Sequence, residues 1–82
     1  MITKTSQKIK LYSTPTCVYC KMAREFFKSH HIDFKEVDVA VDAKERDEMI
    51  QKSGQLGVPV IEIDENLVIG FDKPKIVELL GI

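Results

Sequence analysis

Apolar positions recur along this chain with two periods that trade places. Over residues 8–12 polar and apolar side chains alternate at period two, the pattern of a strand with one buried face, and Ser13-Thr14-Pro15-Thr16 breaks it as a loop. From Val18 to about His30 the period lengthens. Val18, Met22 and Phe26 form one row four apart and Tyr19, Ala23 and Phe27 an adjacent one, which together predict one stripe of an amphipathic helix. Lys21, Arg24, Glu25 and Lys28 fall on its other face. Residues 33–39 return to a strand pattern. Asp42, with Glu45 three residues on, reads as the cap of a helix over residues 43–52 that Gly54 stops. Residues 58–63 and 67–70 are short β-rich runs joined by Asp64-Glu65-Asn66, a connection suited to a hairpin. Asp72 then offers an N-cap, Pro74 is tolerated in a first helical turn, and Ile76, Val77, Leu79 and Leu80 supply the buried face of a last helix.

The predicted order is βαβαββα. The first two strands, joined through a helix, are expected to be parallel with a right-handed crossover, and the final hairpin adds antiparallel strands to the same mixed four-stranded sheet. Helices then cover both faces. The junction between the first strand and first helix falls at that strand's carboxyl end, where open α/β sheets place their chemistry.

Composition narrows this frame. With 82 residues and 44% hydrophobic content the chain is expected to form one domain, residues 1–82, around one modest core. Twelve basic and 13 acidic residues leave a net charge of -1, too weak a field to gather nucleic acid or anionic lipid. Residues 1–10 lack the apolar stretch of a signal peptide, and no apolar run approaches the roughly 20 residues of a membrane span. The expectation is a cytoplasmic protein with no nucleic-acid or membrane partner.

The two cysteines, Cys17 and Cys20, are the only ones present, and they stand three apart where the first helix begins. A disulfide framework needs several separated pairs, so this local pair leaves redox chemistry, metal binding or chance spacing. A cysteine at a helix N-terminus sits beside unpaired N–H groups and the positive end of the macrodipole, both favouring thiolate. Cys17 has that place and reads as the nucleophile. Cys20, one turn in, reads as the resolving thiol.

With these cysteines stand Gly57-Val58-Pro59-Val60 and Gly70-Phe71-Asp72, and the whole set resembles the glutaredoxin branch of the thioredoxin fold. Residues 12–20 look like that family's active-site segment, residues 46–54 like its second helix, and Val58-Pro59 like its cis-proline element. The resemblance spans nearly the whole chain. It implies a small dithiol thiol-disulfide oxidoreductase that reduces protein or low-molecular-weight disulfides as a monomer. It also implies a cis Val58–Pro59 bond set against the thiols, with the Val58 backbone free to pair with an extended substrate. No bound cofactor or metal is needed, and glutathione enters only as a possible reductant.

The donor of electrons is where the chain departs from a glutathione-using member. Thr14 stands where many of those proteins carry a lysine that attracts a glutathione carboxylate, and Phe71 replaces the second of two glycines that let the γ-glutamyl end approach backbone. Gly70-Phe71, and Val18 as the first residue between the cysteines, look more like the redoxins of this size that thioredoxin reductase recharges. Tyr19 is glutaredoxin-like, and Lys21, Arg46, Val58, Asp72 and Lys73, with Gly70 beside them, still offer charge and backbone to a tripeptide. The alternative function is a binding module. One CxxC supplies two of the four soft ligands that zinc or an iron-sulfur cluster wants, so a glutathione-assisted dimer completes the set. Phe26, Phe27 and Phe34 read as core, and His30-His31 as a solvated helix end rather than ligands.

Overall fold

The computed structural model describes residues 8–81. Residues 1–7, read above as polar and without a signal sequence, and Ile82 lie outside them. The elements are β1 (Ile9–Ser13), α1 (Val18–Ser29), β2 (Lys35–Asp38), α2 (Ala43–Ser53), β3 (Val60–Ile63), β4 (Asn66–Ile69) and α3 (Lys73–Leu80), the expected βαβαββα order. They form one mixed sheet in the order β2-β1-β3-β4, with β2 parallel to β1 and both other pairings antiparallel. No helix among the described residues is long and apolar enough to cross a membrane.

Local chemistry fixes the helix ends. Asp42 caps α2 by accepting the Glu45 N–H at 3.1 Å, and Asp72 caps α3 by accepting the Lys75 N–H at 3.4 Å. Gly54 ends α2 at φ 76°, a left-handed conformation that glycine enters without a Cβ penalty.

Alternation along the strands divides the core in two. Ile9 and Leu11 of β1, Ile61 and Ile63 of β3 and Val68 of β4 pack with Ala23, Phe26 and Phe27 of α1 and Ile76 and Leu80 of α3. Tyr12, Val60 and Val39 pack with Met49 of α2. The first cluster is the larger, and each of its fully buried large side chains contributes about 1.5–3 kcal/mol through removal from water.

Four expectations are corrected. Ser13 belongs to β1 rather than to the following loop, because it still pairs with Asp38 and its carbonyl accepts the Val39 N–H at 2.9 Å. The hairpin turns on Asp64-Glu65 alone, since Asn66 already pairs with Ile63; Asp64 takes φ 55°, and its amide and carboxylate both bond the Lys8 backbone. β3 starts at Val60, not Val58, as Pro59 has no N–H for a ladder. The stripe of α1 is buried only from Ala23 onward: Ala23, Phe26 and Phe27 enter the core, while Val18, Tyr19 and Met22 are exposed at the end of the helix that carries the cysteines.

Candidate active site

Strand register brings three segments to one end of the sheet. Tyr12 pairs with Val60 and Val60 with Ile69, so the end of β1, the approach to β3 and the exit from β4 lie side by side. From these ends leave the Thr14–Cys17 loop, the Val58-Pro59 segment and Gly70-Phe71-Asp72. The Val58–Pro59 peptide is cis, Pro59 is fully buried, and its carbonyl accepts the Gly70 N–H at 2.8 Å. Gly70 takes φ 79° there, which turns the chain from β4 toward α3 and favours glycine.

Cys17 is the N-cap of α1. Its backbone is extended, its N–H donates to the Thr14 carbonyl at 3.4 Å, and its carbonyl accepts the Lys21 N–H at 3.2 Å. The sulfur does the work a serine or aspartate does at other caps: Cys17 Sγ accepts the Cys20 N–H at 3.1 Å. Cys17 is half-buried and Cys20 is fully buried; both are free thiols.

The environments of the two sulfurs differ as their burial does. Burial pushes the Cys20 thiol up to about 12, the hydrogen bond and charge of Cys17 add to the rise, and the Thr14 backbone and the Arg24 cation oppose it. Cys20 is therefore held as a neutral thiol beneath a half-exposed partner. Thr14 itself is half-buried and carries no charge toward the site.

The remaining predicted residues divide. Val58 and Pro59 stand at the same sheet end as the thiols, and so do Gly70, Phe71 and Asp72, the last engaged as the α3 cap. The Phe71 ring packs on Phe26 at 6.0 Å and joins the larger core, so it is a packing residue. Tyr19 is exposed, and so is Lys21 on α1, while Arg46 on α2 is half-buried. His30 rests its ring on Phe26 at 4.4 Å. Among the described residues no group of three or more His, Cys, Asp or Glu side chains is placed to hold a metal, so one chain brings two soft ligands and no third.

One arrangement was missed from sequence. Ser13, Arg24 and Glu36 line an open cleft of about 280 Å³ with Thr14, Pro15 and Asp38, next to the loop that carries Cys17. Arg24 forks onto Glu36, Nε at 2.8 Å from Oε1 and a terminal nitrogen at 2.6 Å from Oε2, and Ser13 Oγ donates to the same Oε2 at 2.7 Å. The available signal was the spacing of Arg24 from Cys20, four residues along one helix row.

The chain is similar in sequence and fold to known proteins. A sequence model of the glutaredoxin family matches residues 9–68. The chain is 56% identical over 72 residues to a Clostridium pasteurianum protein described as an uncharacterized glutaredoxin-like 8.6 kDa protein in rubredoxin operon, covering 88% of this chain and 96% of that one. It is 36% identical over 64 residues to glutaredoxin 3 of Escherichia coli K12, covering 78% and 77% of the two chains. The crystal structure of a glutaredoxin from Archaeoglobus fulgidus superposes on it with a TM-score of 0.82 at 26% identity, covering 92% of this chain and 87% of the other.

Proposed function

The chain belongs to the glutaredoxin family of thiol-disulfide oxidoreductases, and on that premise we propose that Cys17 is its nucleophile, Cys20 its resolving thiol, and Val58-Pro59 the segment that receives the substrate. One observation carries this reading: the two sulfurs are three residues apart, one half-exposed and met by a helix N–H at 3.1 Å, the other fully buried. An attacking thiol must meet substrate. A resolving thiol must wait, protonated, until the mixed disulfide is beside it.

The reaction runs in two exchanges. The Cys17 thiolate attacks one sulfur of a substrate disulfide, that S–S bond breaks, and the departing thiolate takes a proton from water. Cys20 then gives up its proton, attacks the Cys17 sulfur, and expels the second substrate thiolate as the Cys17–Cys20 disulfide closes. Two electrons pass to the substrate. A thiol donor returns them by the reverse sequence. The half-buried Val58 and the Pro59 beside it supply a backbone edge along which an extended peptide can align.

Thioredoxin reductase is the donor favoured over glutathione, and Thr14 is what supports the preference, since it brings no cation for a glutathione carboxylate. Phe71 no longer argues for it, because its ring is turned onto Phe26. The reading retains exchange chemistry over the metal or cluster module: burial that keeps Cys20 protonated suits a waiting thiol better than a thiolate ligand.

Turnover of a disulfide substrate, coupled to NADPH oxidation through thioredoxin reductase or through glutathione and its reductase, tests both parts. Cys17→Ser is expected to abolish turnover with either donor, and Cys20→Ser to accumulate a mixed disulfide on Cys17 visible by mass spectrometry. Unchanged turnover in Cys17→Ser would sink the assignment, and turnover with glutathione alone would overturn the choice of donor.

A further inference from the structure

The buried thiol has a charged neighbour on its own helix. Arg24 lies four residues after Cys20, one helical turn along the same row of α1. Its guanidinium is pinned by the Glu36 carboxylate of β2 at 2.6–3.0 Å, and that carboxylate is pinned in turn by the buried Ser13 hydroxyl at 2.7 Å, at the last residue before the active-site loop. A planar fork of this kind fixes both position and direction of the charge. Removing either member leaves the other's charge unbalanced beside the thiols.

We propose that Arg24 and Glu36 act as a charge couple that sets the speed of the resolving step, Arg24 as the positioning residue whose cation favours the Cys20 thiolate and Glu36 as the counter-charge that limits it. The inference rests on Cys20 being the resolving thiol. Four observations place the couple where this requires: the shared helix row, the fork, the Ser13 tie to the loop, and the open cleft these residues line. The direction of the Arg24 influence on Cys20, opposing the rise caused by burial, agrees.

The groups around Cys20 and its neighbour Arg24 come from several elements. α1 contributes Cys17 at its cap and Arg24, with Lys28 adding a second cation toward Glu36. Across the cleft β2 contributes Glu36 and Asp38. β1 and its loop contribute uncharged groups, the Ser13 hydroxyl and the Thr14 backbone. The step itself is the second exchange: Cys20 loses a proton to solvent, its sulfur bonds to Cys17 Sγ, the Cys17–substrate bond breaks, and the substrate sulfur leaves as thiolate.

Below the pH at which Cys20 ionises, its rate of attack follows its thiolate fraction, tenfold for each unit of pKa, less the nucleophilicity lost as basicity falls. The net change is about threefold per unit. Arg24→Gln, which leaves only the Lys28 cation toward Glu36, is expected to slow resolution about threefold, and Glu36→Gln, which leaves Arg24 facing Glu25 without its fork partner, to speed it about threefold. Arg24→Lys keeps the charge without the fork and is expected to stay within about a factor of two of the parent chain. A purely mechanical tie predicts otherwise: Arg24→Gln, Glu36→Gln and Arg24→Lys all loosen the same contact and move the rate together.

Stopped-flow reaction of the reduced full chain with dithiobis-nitrobenzoate separates the steps, because one coloured thiolate is released when Cys17 attacks and a second when Cys20 closes the pair. The second phase, followed from acid to neutral pH, is expected to rise with pH in all four proteins along parallel lines, displaced in opposite senses for Arg24→Gln and Glu36→Gln. Thermal melts of each variant verify that it is folded. Displacement in the same sense, or no displacement, overturns the proposal. Failure of Cys20→Ser to hold a nitrobenzoate adduct on Cys17 overturns instead the assignment on which it rests.

Discussion

The two faces of the sheet are covered by different physics. Under α1 and α3 lie Leu11, Phe27, Ile61, Ile63, Val68 and Ile76, all fully buried and apolar. Under α2 the same strands present Lys10, Tyr12 and Glu62, and α2 answers with Glu45, Glu48 and Lys52. Lys10 Nζ lies 2.8 Å from Glu45 and 3.0 Å from Glu48, the Tyr12 hydroxyl donates to Glu48 at 3.0 Å, and Lys52 reaches Glu62 at 3.0 Å. Met49 is the only α2 side chain buried among the described residues. A chain this short has apolar residues enough to seal one face. The second helix joins the sheet through these ions and hydrogen bonds as well as through the small apolar cluster around Met49, so a larger share of its attachment responds to pH.

The largest expected effect lies on the apolar face. Phe27→Ala removes a fully buried ring that packs on Phe34 at 5.2 Å, and is expected to cost about 3–5 kcal/mol in chemical denaturation. On the polar face Tyr12→Phe keeps the buried ring and deletes the hydroxyl that links Glu48 to Lys52; an expected loss of about 1 kcal/mol separates hydrogen bonding there from packing. A loss as large as that of Phe27→Ala in this variant would mean the two faces do not differ as described.

The most diagnostic effect is acid dependence. Lys10 and the Tyr12 hydroxyl hold the Glu48 carboxyl down to about 2. Its unfolded value is about 4.3, so the stabilisation is fully present above that and is lost as pH falls toward 2. Glu36 is held low as well, chiefly by Arg24, and adds to the same acid loss. Glu48→Gln is expected to flatten the pH-stability curve over this window in denaturant titrations, while Phe27→Ala lowers the whole curve and leaves its slope alone.

The legible and illegible parts of this molecule separate by the range of the interactions that fix them. Element order, the Asp42 and Asp72 caps and the αL glycine at residue 54 follow from neighbours within a few positions, and periodicity or turn chemistry exposes them. Cys17 and Cys20 were legible for the same reason, three residues apart at a helix start. Glu36 with Arg24, and Tyr12 with Glu48, are paired across 12 and 36 residues, and nothing local names either residue's partner. Val18, Tyr19 and Met22 obey the helical period yet face outward, since periodicity tells which residues share a side but not where the sheet beneath them ends.

The outer strands also differ in what they offer a neighbour. β2, at one margin, alternates Lys35, Glu36, Val37 and Asp38, so a strand laid alongside it must bury or match charge. β4, at the other, runs Leu67, Val68 and Ile69 without a charge, and Ile69 is exposed. When concentrated stocks of this protein form fibrils or insoluble assemblies from the folded chain, growth is therefore expected to begin at β4, and a lysine placed at Ile69 is the change that should keep the protein in solution.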